Sequence, residues 1–88
     1  MYQVRMIRNI PGQISVCNPI LWTGGRLKNA RGACRMQIYS AFDMIMNHEF
    51  FGAHDYEVVM EEDNYFIRLI DITEQEIYHI QFVIEEIL

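Results

Sequence analysis

The first residues of the chain alternate. In "YQVRMIR", Tyr2, Val4 and Met6 fall on one side of an extended backbone and Gln3, Arg5 and Ile7 on the other, which predicts a strand. "NIPG" then supplies the proline and glycine that interrupt a ladder. "QISVC" resumes alternation through Ile14 and Val16, so the opening reads as a hairpin. Residues 18–32, "NPILWTGGRLKNARG", hold no sustained period and read as a long loop, with Gly24, Gly25 and Gly32 beside Arg26, Lys28 and Arg31. Loops of that length inside a compact domain are usually functional or mobile.

The stretch "ACRMQIYSAFDMIMNHEFFG" carries two patterns at once. Cys34, Met36 and Ile38 alternate with Arg35, Gln37 and Tyr39, as in a strand. Ser40 and Asp43 then match the S-x-x-D/E start signal of a helix over residues 41–51, with Gly52 in the left-handed cap position. The rival pattern is one long helix from about residue 33. Phe42, Ile45 and Met46 define one apolar side of this helix, yet Met44 and Phe51 face away, which predicts a helix covered on two sides.

"YEVVMEEDNYFIRLIDI" reads as a second hairpin, its arms at residues 56–60 and 65–72 joined by a polar turn at Glu62, Asp63 and Asn64. Thr73 and Glu76 have the spacing of a capping box, which predicts a last helix running to the end. On such a helix Ile77, Ile80, Val83, Ile84, Ile87 and Leu88 gather on the core side. Tyr78 and Phe82 then point outward, one turn apart, among Glu74, Gln81, Glu85, Glu86 and His79. The assembled expectation is an α+β fold: a small antiparallel sheet of four to five strands, built from two hairpins, with two helices packed on one face. A chain of 88 residues has room for one core, so residues 1–88 are read as a single domain.

Composition adds one feature that periodicity does not show. The net charge is -5, but residues 1–35 hold six of the seven bases and no acid, whereas residues 36–88 hold all twelve acids and only Arg68 as a base. The front is therefore +6 and the back -11, a layout that favours either internal pairing or a surface aimed at a charged partner. The chain starts without an apolar run long enough for a signal peptide or a membrane span, and the cytoplasm is the expected address. Cys17 and Cys34 form no CxxC and read as buried small hydrophobes.

Catalytic signatures are missing. There is no G-x-x-x-x-G-K-[ST], no G-x-G-x-x-G and no G-x-S-x-G. Cys17, Cys34, His48, His54 and His79 supply no short-spaced ligand pair, so neither a metal nor another cofactor is expected. The carboxylates Glu61, Glu62 and Asp63 fall in a solvated turn where nothing raises a pKa. These absences point away from an enzyme.

The leading expectation is a non-enzymatic protein-binding module, an acidic inhibitor or adaptor that occupies a basic surface on a nuclease or other nucleic-acid-processing protein. Tyr78 and Phe82 would be its anchors, with Glu61, Glu62, Asp63, Glu74, Glu85 and Glu86 around them. In size, acidity and lack of a catalytic signature the chain resembles phage-encoded inhibitors of host nucleases, the anti-CRISPR class among them. That resemblance is one of type and rests on no residue pattern. An alternative places nucleic acid on a basic loop over residues 22–35, with Trp22 stacking on a base and Arg26, Lys28, Arg31 and Arg35 on phosphates. A third reading is a homodimer that hides the two aromatics against their symmetry copies.

Overall fold

The computed structural model describes residues 1–9, 18–48, 52–61 and 63–88. Its strands are β1 (Tyr2–Asn9), β2 (Ile20–Gly24), β3 (Asp55–Glu61), β4 (Asn64–Ile70) and β5 (Glu76–Glu86), and its helix, α1 (Leu27–Asn47), lies between β2 and β3. All five strands join one antiparallel sheet in the order β2-β1-β5-β4-β3. The α+β class and the small sheet stand as expected, but the described residues contain one α-helix where two were predicted.

The last segment is the larger correction. Residues 76–86 form a strand at the centre of the sheet, between β1 and β4. Tyr78, Ile80 and Phe82 point to the buried side, while His79, Gln81, Val83 and Glu85 alternate to the other. Period two therefore overrides the helical spacing, because this position offers hydrogen-bonding partners along both edges of the strand. Thr73 caps no helix. Its N–H (2.8 Å) and its hydroxyl (2.6 Å) both donate to Asp71 Oδ1, as does the N–H of Gln75 (3.0 Å). Asp71 thereby organises a turn in which Glu74 takes a φ of 65°, and β4 ends at Ile70 rather than continuing to Ile72. Glu76, the other half of the expected box, lies 3.0 Å from His79 Nδ1 instead.

The middle segment resolves in favour of the long helix, which begins even earlier than its pattern predicted. Ala30, Cys34, Ile38, Ala41 and Ile45 recur at steps of three and four and are buried in a single stripe. The supposed loop over residues 18–32 thus divides into β2 and the first turns of α1. Its start is hard to read because Arg26, at the N-cap, makes no side-chain cap bond and the first turn has no acid. Ser40, proposed as the cap, is an exposed mid-helix residue. The helix ends at Asn47, before the predicted residue 51, although Gly52 does adopt the positive φ expected of it, 81°. β1 forms as predicted, and the second hairpin forms with its arms at Asp55–Glu61 and Asn64–Ile70, the second ending two residues early. "QISVC" lies outside the described residues, and the described partner of β1 on its outer edge is β2.

Directly opposed residues share a face of a sheet. Tyr2, Val4 and Met6 of β1, Trp22 of β2, Tyr65, Ile67 and Leu69 of β4, and Tyr78, Ile80, Phe82 and Ile84 of β5 accordingly turn together toward α1. The buried residues of these strands and of the helix make one cluster. A helix of 21 residues is about 32 Å long at 1.5 Å per residue. The axes of the two outer strands lie roughly 19 Å apart, four spacings of about 4.8 Å. α1 connects one edge of the sheet to the other and packs on β1, β2, β4 and β5, leaving β3 to one side. No described helix is long and apolar enough to cross a membrane.

Candidate functional site

Placing β5 in the middle of the sheet removes the expected anchors from the surface. Tyr78 is 8% exposed and Phe82 1%, and both belong to the core. Phe82 sits between Met6 of β1 and Tyr65 of β4, and Tyr78 lies opposite Leu69. Neither ring is available to a partner or to a symmetry copy. A homodimer built on them is excluded on the same ground.

The acids expected around them do not make one surface. Glu85 turns to the face of the sheet away from α1, where it accepts from Arg5 Nε and from Gln3 Nε2, each at 2.8 Å. These two donors, Arg5 first, hold its carboxyl below the usual range. Glu74 lies in the turn between β4 and β5, at the opposite end of β4 from Glu61 and Asp63. Asp63 meets Arg31 at 3.3 Å, and Glu86 is exposed at the end of β5, opposite Tyr2. Glu62 lies outside the described residues. Part of the charge asymmetry is thus spent internally: Arg5 with Glu85, Arg31 with Asp63, and Arg68 with Glu57 at 2.9 Å join the two halves or neighbouring strands. All three pairs are partly exposed, so each contributes little to stability.

The basic residues of the alternative reading are also rearranged. Lys28, Arg31 and Arg35 fall at steps of three and four on α1, not on a glycine-rich loop, and Arg31 is engaged by Asp63. Trp22 stands on β2 with its ring over Gly24, against the core cluster. That ring is half-buried against the sheet rather than carried on an open loop, as the nucleic-acid reading had pictured it.

Little chemistry is assembled elsewhere. His79 lies 3.0 Å from Glu76 and 5.2 Å, centroid to centroid, from the ring of Phe66, but no nucleophile joins them among the described residues. Cys34 is fully buried, and desolvation pushes its thiol up to about 11, partly opposed by Arg35, so it is protonated and unreactive at neutral pH. No group of three or more His, Cys, Asp or Glu side chains among the described residues is arranged to hold a metal ion.

What the fold does expose is an apolar groove. Because α1 leaves β3 to one side, the helix-facing residues of β3 are only half covered: Tyr56 is 41% exposed and Met60 37%. Ile38, Tyr39 and Phe42 on the flank of the helix face Val58 and Met60 across a groove of about 240 Å³. Phe42 packs edge-on against Tyr56 at 5.2 Å and closes one end. Tyr39 lines the groove and is 58% exposed, and Met36 and Met46 are further exposed apolar residues of the same helix. The volume is below the range of small-molecule sites, about 300–1,000 Å³, and suits a few inserted side chains.

β3 carries a second character on its reverse face. Asp55, Glu57, Val59 and Glu61 alternate with Tyr56, Val58 and Met60, so one side of this strand is acidic and the other apolar. Glu57 is paired with Arg68, whereas Asp55 and Glu61 have no ion pair among the described residues. Of the groove residues, the sequence marked Phe42 as part of an apolar helix side, but it did not bring Tyr39, Val58 and Met60 together with it. The signal was present in the helix, where Met36, Tyr39 and Met46 are large apolar residues off the stripe formed by Ala30, Cys34, Ile38, Ala41 and Ile45. No protein-family model, characterised protein or solved structure matches the chain.

Proposed function

We propose that this chain is a non-enzymatic protein-binding module whose contact surface is the groove between α1 and β3, and that its partner carries basic groups that meet the acids on the reverse face of β3. The observation that carries this reading is the exposure of Tyr39, Tyr56 and Met60 around an apolar groove whose outer strand, β3, carries carboxylates on its reverse face. Tyrosine, phenylalanine and methionine are enriched at the centres of protein interfaces, and a few such side chains supply most of the affinity. The acids of β3 steer a basic partner and discriminate against an acidic one. An acidic adaptor or inhibitor of a nucleic-acid-handling protein remains the functional class proposed. Its anchors move from Tyr78 and Phe82 to Tyr39, Phe42 and Met60.

The test is affinity capture with the tagged chain, comparing the natural protein with Tyr39→Asp and Met60→Asp. Both positions are open enough that the variants keep the urea midpoint of the natural protein. The expected result is a basic partner that is captured by the natural chain, lost from both variants and released by salt. Capture that is indifferent to both substitutions, or no captured partner at all, overturns the proposal. The double variant Lys28→Ala with Arg35→Ala serves as the control and keeps the partner.

A further inference from the structure

We infer that the partner contributes an extended segment that adds to the sheet alongside β3, alternating basic residues toward Asp55, Glu57 and Glu61 with apolar residues toward the groove. This rests on the protein-binding reading above and specifies how the partner is held.

The strand order leaves β3 as an edge, and an edge strand offers its outward N–H and C=O groups to another chain. The groove lies on the face of the sheet that Tyr56, Val58 and Met60 share with α1. A strand added about 4.8 Å beyond β3 sets every second residue beside Tyr56, Val58 and Met60, on the side of the sheet where the groove opens. The intervening residues come up beside Asp55, Glu57 and Glu61 on the opposite face. Main-chain bonds then give affinity and the two faces give selectivity, as in other strand additions. Asp55 Oδ1 accepts the N–H of Tyr56 at 2.7 Å. An incoming carbonyl that takes over this N–H frees the carboxylate for a basic side chain.

Charge decides between such a partner and a second copy of this chain. In a two-fold antiparallel pairing of β3 with itself, opposed residues share a face, so acids meet only acids or Val59. Every register that overlaps most of the strand sets Asp55 against Glu61, Glu57 against its own copy, or Glu57 against Glu61. Like charges directly opposed are destabilising. A basic strand converts each of those clashes into an attraction. The other edge, β2, is shorter, has no charged residue and pairs with β1 through an irregular register at Val4 and Arg5, so it lacks this two-faced code.

The probe is a peptide of seven residues, the length of β3, alternating lysine with valine or leucine. Calorimetry gives its affinity, and amide hydrogen exchange reports protection along β3. Two controls share its composition and charge: one places the lysines in a block, and the other carries N-methylated backbone nitrogens on its pairing edge. The expected outcome is new protection at Val58 and Met60 with the alternating peptide, and at least tenfold weaker binding of each control, a loss of about 1.4 kcal/mol. Asp55→Lys with Glu61→Lys weakens the alternating peptide by a similar factor.

Equal binding of the block peptide, or binding without protection of β3, overturns the strand addition. So does concentration-dependent protection of β3 in the chain alone with a dimer mass by light scattering, which assigns the edge to a second copy. If the natural partner is lost from Tyr39→Asp while the peptide protects nothing, the groove reading stands and the strand addition fails. If neither is seen, both fail.

Discussion

Replacing Phe82 by alanine separates the observed arrangement from the outward-facing helix that the sequence pattern favours. The ring is 1% exposed, on the central strand, with Met6 on one side, Tyr65 on the other and α1 above it. Withdrawing a side chain of this kind forfeits about 1.5–3 kcal/mol of transfer free energy. The unfilled cavity raises the total to about 3–5 kcal/mol. For 88 residues the stability expected at 0.05–0.15 kcal/mol per residue is about 4–13 kcal/mol, so the loss is a large fraction and can unfold the chain outright. Urea unfolding followed by the fluorescence of Trp22, the only tryptophan, measures it. With a slope of about 1–3 kcal/mol per molar, the midpoint falls by at least about 1 M. Phe82→Leu, which keeps most of the volume, costs no more than about 1.5 kcal/mol and retains the fold. A midpoint for Phe82→Ala that moves by no more than a surface change does, within about 0.5 kcal/mol, would refute the placement of β5 in the core.

Two further expectations test other parts of the structure. Gly24→Ala puts a methyl group into the ring of Trp22, so the ring must shift against the core. The expected cost is about 1–3 kcal/mol with altered Trp22 emission, and an unchanged midpoint and spectrum would remove the ring from over Gly24. The carboxyls of Glu85, held down by Arg5 and Gln3, and Asp71, held down by the Thr73 hydroxyl and the Gln75 N–H, lie below their ordinary values in the folded state. Their contribution is therefore complete above the unfolded value, about 4, and is lost as pH falls through the lowered folded values. The urea midpoint should drop on acidification below about pH 4, and less steeply in Glu85→Gln with Asp71→Asn; equal acid slopes in the two proteins would contradict the hydrogen bonding described.

The outward orientation of Tyr78 and Phe82 fails for a reason internal to the sequence. In "IYHIQFVIEE", Ile77, Ile80, Val83 and Ile84 satisfy a helical face, while Tyr78, Ile80, Phe82 and Ile84 satisfy an alternating one. Both periods are present, and the Thr73 and Glu76 spacing, the local signal that favoured the helix, is outweighed by pairing with β1 and β4. The helix was obscured in the opposite way, because its buried stripe uses Ala30, Cys34 and Ala41, small side chains that register weakly as apolar but let the helix lie close to the sheet. The groove was illegible for a third reason. Its walls, Tyr39 and Phe42 on one element and Val58 and Met60 on another, are separated along the chain and meet only because the helix stops short of covering β3.

By itself, the order of residues determined the first strand, the second hairpin, the existence of a helix between them and the split between a cationic front and an anionic back. These are local matters of alternation, turn chemistry and composition. Only the tertiary structure decided that the final segment is a strand, since its backbone groups find partners on β1, seventy or more residues away, and on β4. The same long-range pairing buries the aromatics that local spacing turned outward. It also sets β3 at the edge with one acidic face, one apolar face and room beside it.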